Sequence, residues 1–411
     1  MSEMLVGFQC RSCGDDQGNL LLDLGKQPPA NRLLTEAELG EPEPVHPLRL
    51  AICLNCHLLQ ITDLVPPGEL FNNYVYFSSY SETWMRHCEM SAYQYMAEFE
   101  LSGDSFVVEV ASNDGCLLRH FKEAGVKHLG IEPAKNVADV ARENGIETIT
   151  EFFGEATARR VRDDHGAANL LLGNNVFAHA PDINDFTAGI AVLLAEDGVV
   201  VLEFPYALEM IEKVEFDTIY HEHVFYFTLT AINPVLARHG LTAWRVERLP
   251  THGGSLRLFL ARENAKPVED SVAKLQADEL ARGVAGLSYY EKFSDRVEVI
   301  RKSLIVEIDG WRKHGEVAAY GAAAKGSTLL NYCGLDADSI AFVVDRSPHK
   351  QGMFMPGVQL PIRSVEELVS RQPVLVVLLA WNLENEILAQ QAAFREAGGK
   401  FIIPIPGVRV V

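Results

Sequence analysis

The sequence predicts an α/β protein with two doubly wound sheets in succession, preceded by a small module that needs a metal staple. Three observations carry this. From residue 106 to 204, short β-branched runs alternate with stretches of helical spacing, the pattern of right-handed βαβ crossovers. The same alternation starts again at residue 317. Ahead of both, residues 1–70 hold four cysteines in two pairs among scattered prolines and short apolar pieces, too little for a core of their own.

In the second block, 71–265, strands are expected at 106–110, 128–132, 147–153, 169–173 and 199–204, with helices over 116–124 and 137–144. The block ends on a different rhythm. Residues 242–249 and 255–261 are strand-like runs separated by Pro-Thr-His-Gly-Gly, which reads as a hairpin. Five parallel strands finished by an antiparallel hairpin form the seven-stranded Rossmann-like sheet of class I methyltransferases. The reversed strand separates it from a plain dinucleotide-binding sheet. The third block, 266–411, opens with a charged helical connector and continues as a smaller doubly wound domain. Its expected strands are 317–320, 340–345, 374–380 and 401–405, with a helix over 328–333.

Charge and hydropathy narrow the partners. With 56 acidic against 36 basic residues the formal net charge is −20, which repels a phosphate backbone and argues against nucleic acid. No run approaches the roughly 18 apolar residues of a membrane span; the strongest, 374–381, has the length of a buried strand. MSEMLVGFQCRSCG lacks the basic start and apolar stretch of a signal peptide, so the cytoplasm is the expected compartment. Disulfides rarely persist there, and the seven cysteines read as metal ligands or free thiols.

Cys10-x-x-Cys13 and Cys53-x-x-Cys56 are the most specific signal. A C-x-x-C turn presents two thiolates to one metal, and two such turns close the tetrahedral shell of a structural zinc. A redox C-x-x-C stands beside a βαβ unit, and neither pair does.

Glu109-Val-Ala111-Ser112-Asn113-Asp114-Gly115 lies where the first strand turns into the first helix, the place where a nucleotide cofactor approaches the backbone. Of the usual three glycines only Gly115 is present, with Ala111 and Asn113 in the other places. Glu132, followed by Pro133, ends the second strand, where a carboxylate accepts hydrogen bonds from ribose hydroxyls. That fits S-adenosylmethionine or NAD. The eroded glycine pattern, the hairpin and Asn174-Asn175 after the fourth strand favour S-adenosylmethionine. Phe152 and Phe153 either flank its adenine or belong to the core.

Tyr220-His221-Glu222-His223 is dense in acid–base groups and is not the zinc-binding H-E-x-x-H. The paired C-x-x-C start, FDTIYHEH (216–223), HGGSLR (252–257) and YGAAAKGS (320–327) together resemble the deoxysugar C-methyltransferases, in the same order over nearly the whole chain. Those enzymes methylate C3 or a related carbon of dTDP-4-keto-deoxysugars. The resemblance implies that His223 is the general base, supported by Tyr220, Glu222 and His179, with a tyrosine of Tyr74-Val-Tyr76 reaching the sugar. His252 and Arg257 fall to the substrate, and the loop carrying Lys325 and Ser327 either holds its pyrophosphate or is a vestigial NAD site without a ligand. The chemistry suits the residue types, because a carbon beside a ketone is a weak acid whose deprotonation needs a base near neutral pK and donors for the enolate oxygen. Two other readings stand beside it: an NAD-dependent oxidoreductase of sugar nucleotides, which lacks a full G-x-G-x-x-G, and a zinc-ribbon interaction protein.

Overall fold

The computed structural model describes residues 3–71 and 77–411. Its middle sheet has seven strands: β1 Phe106–Val110, β2 Lys127–Ile131, β3 Thr148–Ile149, β4 Ala168–Asn174, β5 Leu194–Pro205, β6 Leu241–Leu249 and β7 Ser255–Arg262. In space they lie 3-2-1-4-5-7-6, all parallel except β7, which is antiparallel to both neighbours. This is the class I methyltransferase sheet. Every residue of β1 is buried, as expected of a parallel strand covered by helices on both faces. Glu109, a carboxylate in that strand, is therefore an exception that needs a purpose. β3 is shorter than the run 147–153 expected of it.

The N-terminal module is an antiparallel sheet of Glu3–Met4, Gly18–Gln27, His46–Cys53 and Leu59–Ile61. Its fifth strand comes from elsewhere. Phe225–Tyr226, in the middle block, pairs with Leu59 and Gln60, and the Ile61 N–H donates to Val224 O (3.0 Å). Helix Glu82–Glu98, capped by the Ser81 hydroxyl, then leads to β1 and buries Trp84, Cys88, Ser91, Ala92 and Tyr95.

Helices Asp270–Arg282 and Phe293–Trp311 form the connector. The C-terminal sheet runs Ile362–Arg363, Val343–Val344, Val317–Tyr320, Leu375–Leu378, Lys400–Ile403 and Arg409–Val410, parallel until the last strand reverses. The two edge strands have two residues each, too short for a sequence signal. Helix Ala324–Cys333 begins inside the GAAAKGS loop, earlier than the expected start at 328. Among the described residues no helix is long and apolar enough to cross a membrane.

Candidate active site

The two C-x-x-C turns converge as their spacing predicts. The sulfurs of Cys10, Cys13, Cys53 and Cys56 lie within 4.8 Å of one another, with Cys10–Cys56 and Cys13–Cys53 each at 3.6 Å. Zn–S bonds of about 2.3 Å in a tetrahedron set sulfurs roughly 3.8 Å apart, so the cage has the size of the ion. The amides of Gln60 and Asn55 point at Cys10 Sγ (3.3 Å) and Cys13 Sγ (3.7 Å), where N–H donors stabilise thiolate charge. Four thiolates leave no open position, and the zinc is structural.

The loop after β1 has the backbone of a glycine-rich turn without the glycines. Ala111 (φ 53°) and Asn113 (φ 51°) both adopt the left-handed conformation, which Asn tolerates and Ala adopts at a cost of about 1 kcal/mol. Gly115 (φ 78°) cannot be replaced, since a Cβ would sit 2.8 Å from Ile146 Cγ1. Glu132 closes the cradle: its carboxylate accepts the N–H of Asn113 (3.0 Å) and of Ala134 (2.8 Å), across the half-buried Pro133. Burial pushes it up to about 7.

Several buried oxygens here have no partner among the described residues, namely Glu109 Oε2, Asp114 Oδ1, Asn174 Oδ1 and Asn175 Oδ1. Such atoms are costly unless a ligand supplies donors, and a polar cofactor with ammonium and hydroxyl groups does so. The residues therefore fit S-adenosylmethionine. Phe152 is 52% exposed at the rim, whereas Phe153 packs edge-on against Phe186 (4.9 Å) and belongs to the core. Ser78 and Ser79 donate backbone N–H groups to Asn113 Oδ1 (2.9 Å) and Asp114 Oδ2 (3.1 Å), fastening the incoming chain to this loop. Tyr74 and Tyr76 precede that chain and lie outside the described residues.

Beyond β5 the chain forms helix Ala207–Lys213 and turn Phe216–Thr218, then returns with Tyr220–His223. His223 meets His179, on the turn after β4, edge-on at 4.8 Å. The Thr218 carbonyl, which can only accept, lies 2.9 Å from His223 Nδ1, so that nitrogen carries the proton. Nε2 is left with the lone pair and receives the Tyr220 hydroxyl at 2.7 Å. Burial, with His179 second, drives the imidazole well below its ordinary pKa, and burial takes His179 down to about 4. Both rings are neutral at pH 7. Glu222 is buried, and burial pushes its carboxyl up; Oε1 accepts from Asn31 Nδ2 of the zinc module (3.1 Å), while Oε2 has no partner among the described residues. A cavity of about 430 Å³ opens there, lined by Asn31, Arg32, Thr35, Glu222 and Met353 among others. His221 points away, toward the His46 ring (5.8 Å).

The four expected substrate contacts separate. His252 (φ 56°) lies beside the cofactor edge, its Nε2 3.2 Å from Asn175 Nδ2 and its ring 5.2 Å from Trp84. Arg257 faces inward on β7, and its guanidinium is occupied by Glu203 Oε2 (3.1 Å), Ser91 Oγ (2.8 Å) and His87 Nε2 (3.2 Å). Lys325 donates to His252 O (3.0 Å) and sits 4.5 Å from the Trp381 ring centre, with the Asp217 and Glu215 carboxylates acting on it. Ser327 is buried in its own helix beside Asn331. In this arrangement the Arg257 guanidinium and the Lys325 ammonium both bond to groups of the protein.

Asp345, in the ribose position of the third block, accepts from Ala322 N–H (2.7 Å) and Ser347 N–H (2.8 Å), and the Lys350 ammonium lies 3.9 Å from it while donating to Ala322 O (2.7 Å). A lysine thus occupies the space beside the carboxylate that a dinucleotide ribose requires.

Comparison with known proteins extends along the whole chain. A zinc-binding-domain model matches residues 10–71, a methyltransferase-domain model 84–246, and a C-methyltransferase C-terminal-domain model 250–406. C-methyltransferase NovU of Streptomyces niveus is 36% identical over 405 residues, covering 98% of this chain and 96% of its own. Magnesium protoporphyrin IX methyltransferase of Synechocystis PCC 6803, solved with bound S-adenosylmethionine, aligns with a TM-score of 0.34 at 15% identity, over 44% of this chain and 79% of its own. An S-adenosylmethionine-dependent methyltransferase of Anabaena variabilis aligns with a TM-score of 0.35 at 14% identity, over 43% of this chain and 85% of its own.

Proposed function

Since the chain belongs to the zinc-binding C-methyltransferases, whose methyl donor is S-adenosylmethionine, we propose that it methylates the carbon beside the ketone of a nucleotide-linked keto-deoxysugar, most simply a dTDP-linked 4-keto-deoxysugar. The observation that carries this reading is His223, a buried neutral imidazole whose lone pair is confined to Nε2. Carbon acids need such a base. Nε2 takes the proton from the acceptor carbon, and Nδ1–H remains on the Thr218 carbonyl, which stabilises the imidazolium as it forms. Burial penalises a lone imidazolium, but the enolate formed beside it supplies the opposite charge. The Tyr220 hydroxyl, released from Nε2, turns its O–H to the enolate oxygen. When bound, S-adenosylmethionine supplies an electrophilic methyl group on a sulfonium.

The cavity beside Glu222 is of a size for part of a sugar nucleotide, and its lining from the zinc module gives that module a role in holding the acceptor. Burial pushes the Glu222 carboxyl up, and its Oε2, without a partner among the described residues, is free to bond a hydroxyl of the sugar. The proposed compartment is the cytoplasm, where the four ligand thiols stay reduced.

The test is methyl transfer to dTDP-linked 4-keto-deoxysugars, followed by mass spectrometry. His223→Ala is expected to lose roughly 10²–10⁴ in turnover with unchanged S-adenosylhomocysteine affinity. Full turnover in the variant removes His223 as the base; no product from any keto-sugar nucleotide with the wild-type enzyme removes the acceptor.

A further inference from the structure

Three side chains of the C-terminal domain end on the two segments that carry active-site residues. The Trp381 indole N–H donates to Asp217 Oδ2 at 2.6 Å. The Thr328 hydroxyl donates to Ile219 O at 3.1 Å, and the Lys325 ammonium to His252 O at 3.0 Å. Asp217 and Ile219 flank Thr218, the residue whose carbonyl accepts the His223 Nδ1 proton. Asp217 and Thr218 are both 0% exposed, and Thr218 is tied on its other side to Glu215 O (2.7 Å). The turn Phe216–Thr218 is thus gripped immediately before and after the one atom that selects the tautomer of the base.

We propose that Trp381 and Thr328 are positioning residues for methyl transfer: from outside the methyltransferase domain they hold the Phe216–Thr218 turn so that the Thr218 carbonyl keeps the proton of His223 on Nδ1 and the lone pair on Nε2. This role presupposes the proposed assignment of His223 as the base. The two neutral tautomers of imidazole differ little in energy, so the partner of one nitrogen decides which is present. A carbonyl that drifts by an ångström no longer decides it, and proton abstraction is sensitive to displacements of that size. The C-terminal domain has its nucleotide cradle plugged by Lys350. On this reading its contribution is the rigidity of a turn it does not contain.

The experiment combines Trp381→Phe, which removes only the indole N–H, with Thr328→Val, which removes only the hydroxyl. Nitrogen chemical shifts of histidine-labelled protein, with His223→Ala identifying the signal, report the tautomer without any acceptor. The wild type is expected to show His223 protonated on Nδ1, and the double variant a mixture. Turnover is expected to fall about tenfold or more, with KM for S-adenosylmethionine and affinity for S-adenosylhomocysteine unchanged. Asp217→Leu should reproduce the loss, and Asp217→Asn, which keeps an acceptor for the indole, should recover most of it. If the double variant loses S-adenosylhomocysteine binding, Thr328→Val alone carries the test. A tautomer unmoved by the substitutions, or unchanged turnover, overturns the proposal. Absence of keto-sugar methylation by the wild type refutes the acceptor alone, and the nitrogen shifts still decide the positioning role.

Discussion

Arg257→Met removes the cation from a largely interior network, in which Glu247 (3.4 Å, half-buried) reaches toward solvent. Glu203 is 0% exposed and Arg257 3%. The guanidinium reaches Glu203 Oε2 through Nε (3.3 Å) and Nη2 (3.1 Å), and Nη2 also donates to Ser91 (2.8 Å). Stripping one partner from a buried pair costs about 3–5 kcal/mol. Glu203 would still hold His87 at 2.9 Å and the Thr251 hydroxyl at 3.0 Å, so the loss belongs at the lower end, about 3 kcal/mol. For a domain of this size that is a fall of about 6–12 °C in the methyltransferase-domain transition, read by scanning calorimetry. The acid side should move too. Burial pushes Glu203 up, but His87 and Arg257 outweigh it and hold the carboxyl below its ordinary range. Its stabilisation is therefore present above the ordinary carboxylate pKa and lost as pH falls through the lowered one. Without Arg257 that loss begins at higher pH. Glu203→Leu with Arg257→Met should recover much of the stability, since no charge is left unpaired. An unchanged transition with a raised KM for the acceptor would refute this reasoning and return Arg257 to substrate binding.

Further outcomes follow from other groups. Cys53→Ser should reduce bound zinc, measured by elemental analysis, from one per chain to a small fraction, and expose the N-terminal sheet to proteolysis, because a structural zinc carries the folding energy of its module. Because burial and His179, with Lys325 adding to them, lower the pKa of His223, turnover should hold steady as pH drops below 7. Lys325→Met removes a positive charge, raises that pKa and should move the acid limb of kcat upward; an unmoved limb would show that Lys325 does not act on the base. Burial pushes Glu215 up to about 7, so its contribution to stability is full below the ordinary 4.5 and lost as pH rises through 7. Glu215→Gln should flatten that slope in denaturant titrations run between about pH 5 and 8.

The parallel strands were legible because burial on both faces writes them as nearly continuous apolar runs, interrupted in β1 by Glu109 alone. The reversed β7 was legible because a hairpin leaves a local signal, Pro-Thr-His-Gly-Gly. The cysteine pairs were legible because metal geometry fixes their spacing. Elements of two residues, such as Ile362–Arg363 or Arg409–Val410, are held by tertiary pairing and carry no pattern of their own. Site residues divide the same way. Asn31 meets Glu222 across 191 positions and Trp381 meets Asp217 across 164, contacts with no trace in either neighbourhood. Helix Glu82–Glu98, which supplies Trp84, His87 and Ser91, had a readable signal in the Ser81 cap and buried positions 84, 88, 92 and 95 at helical spacing. The pairing of Arg257 with Glu203 was not legible for a general reason: a sequence shows a charge but not whether another charge is buried opposite it.

The two-residue strand Phe225–Tyr226 constrains how this architecture can be inherited. It completes the zinc module's sheet from within the enzyme core, two residues after His223. A gene fragment ending near residue 70 would encode a sheet with Leu59–Ile61 as a bare apolar edge, the kind of surface that pairs with other chains. A core without the module would leave Phe225 and Tyr226, now 1% and 3% exposed, facing water. The two parts are therefore poor currency for domain shuffling, and lineages that exchange one should be found exchanging both.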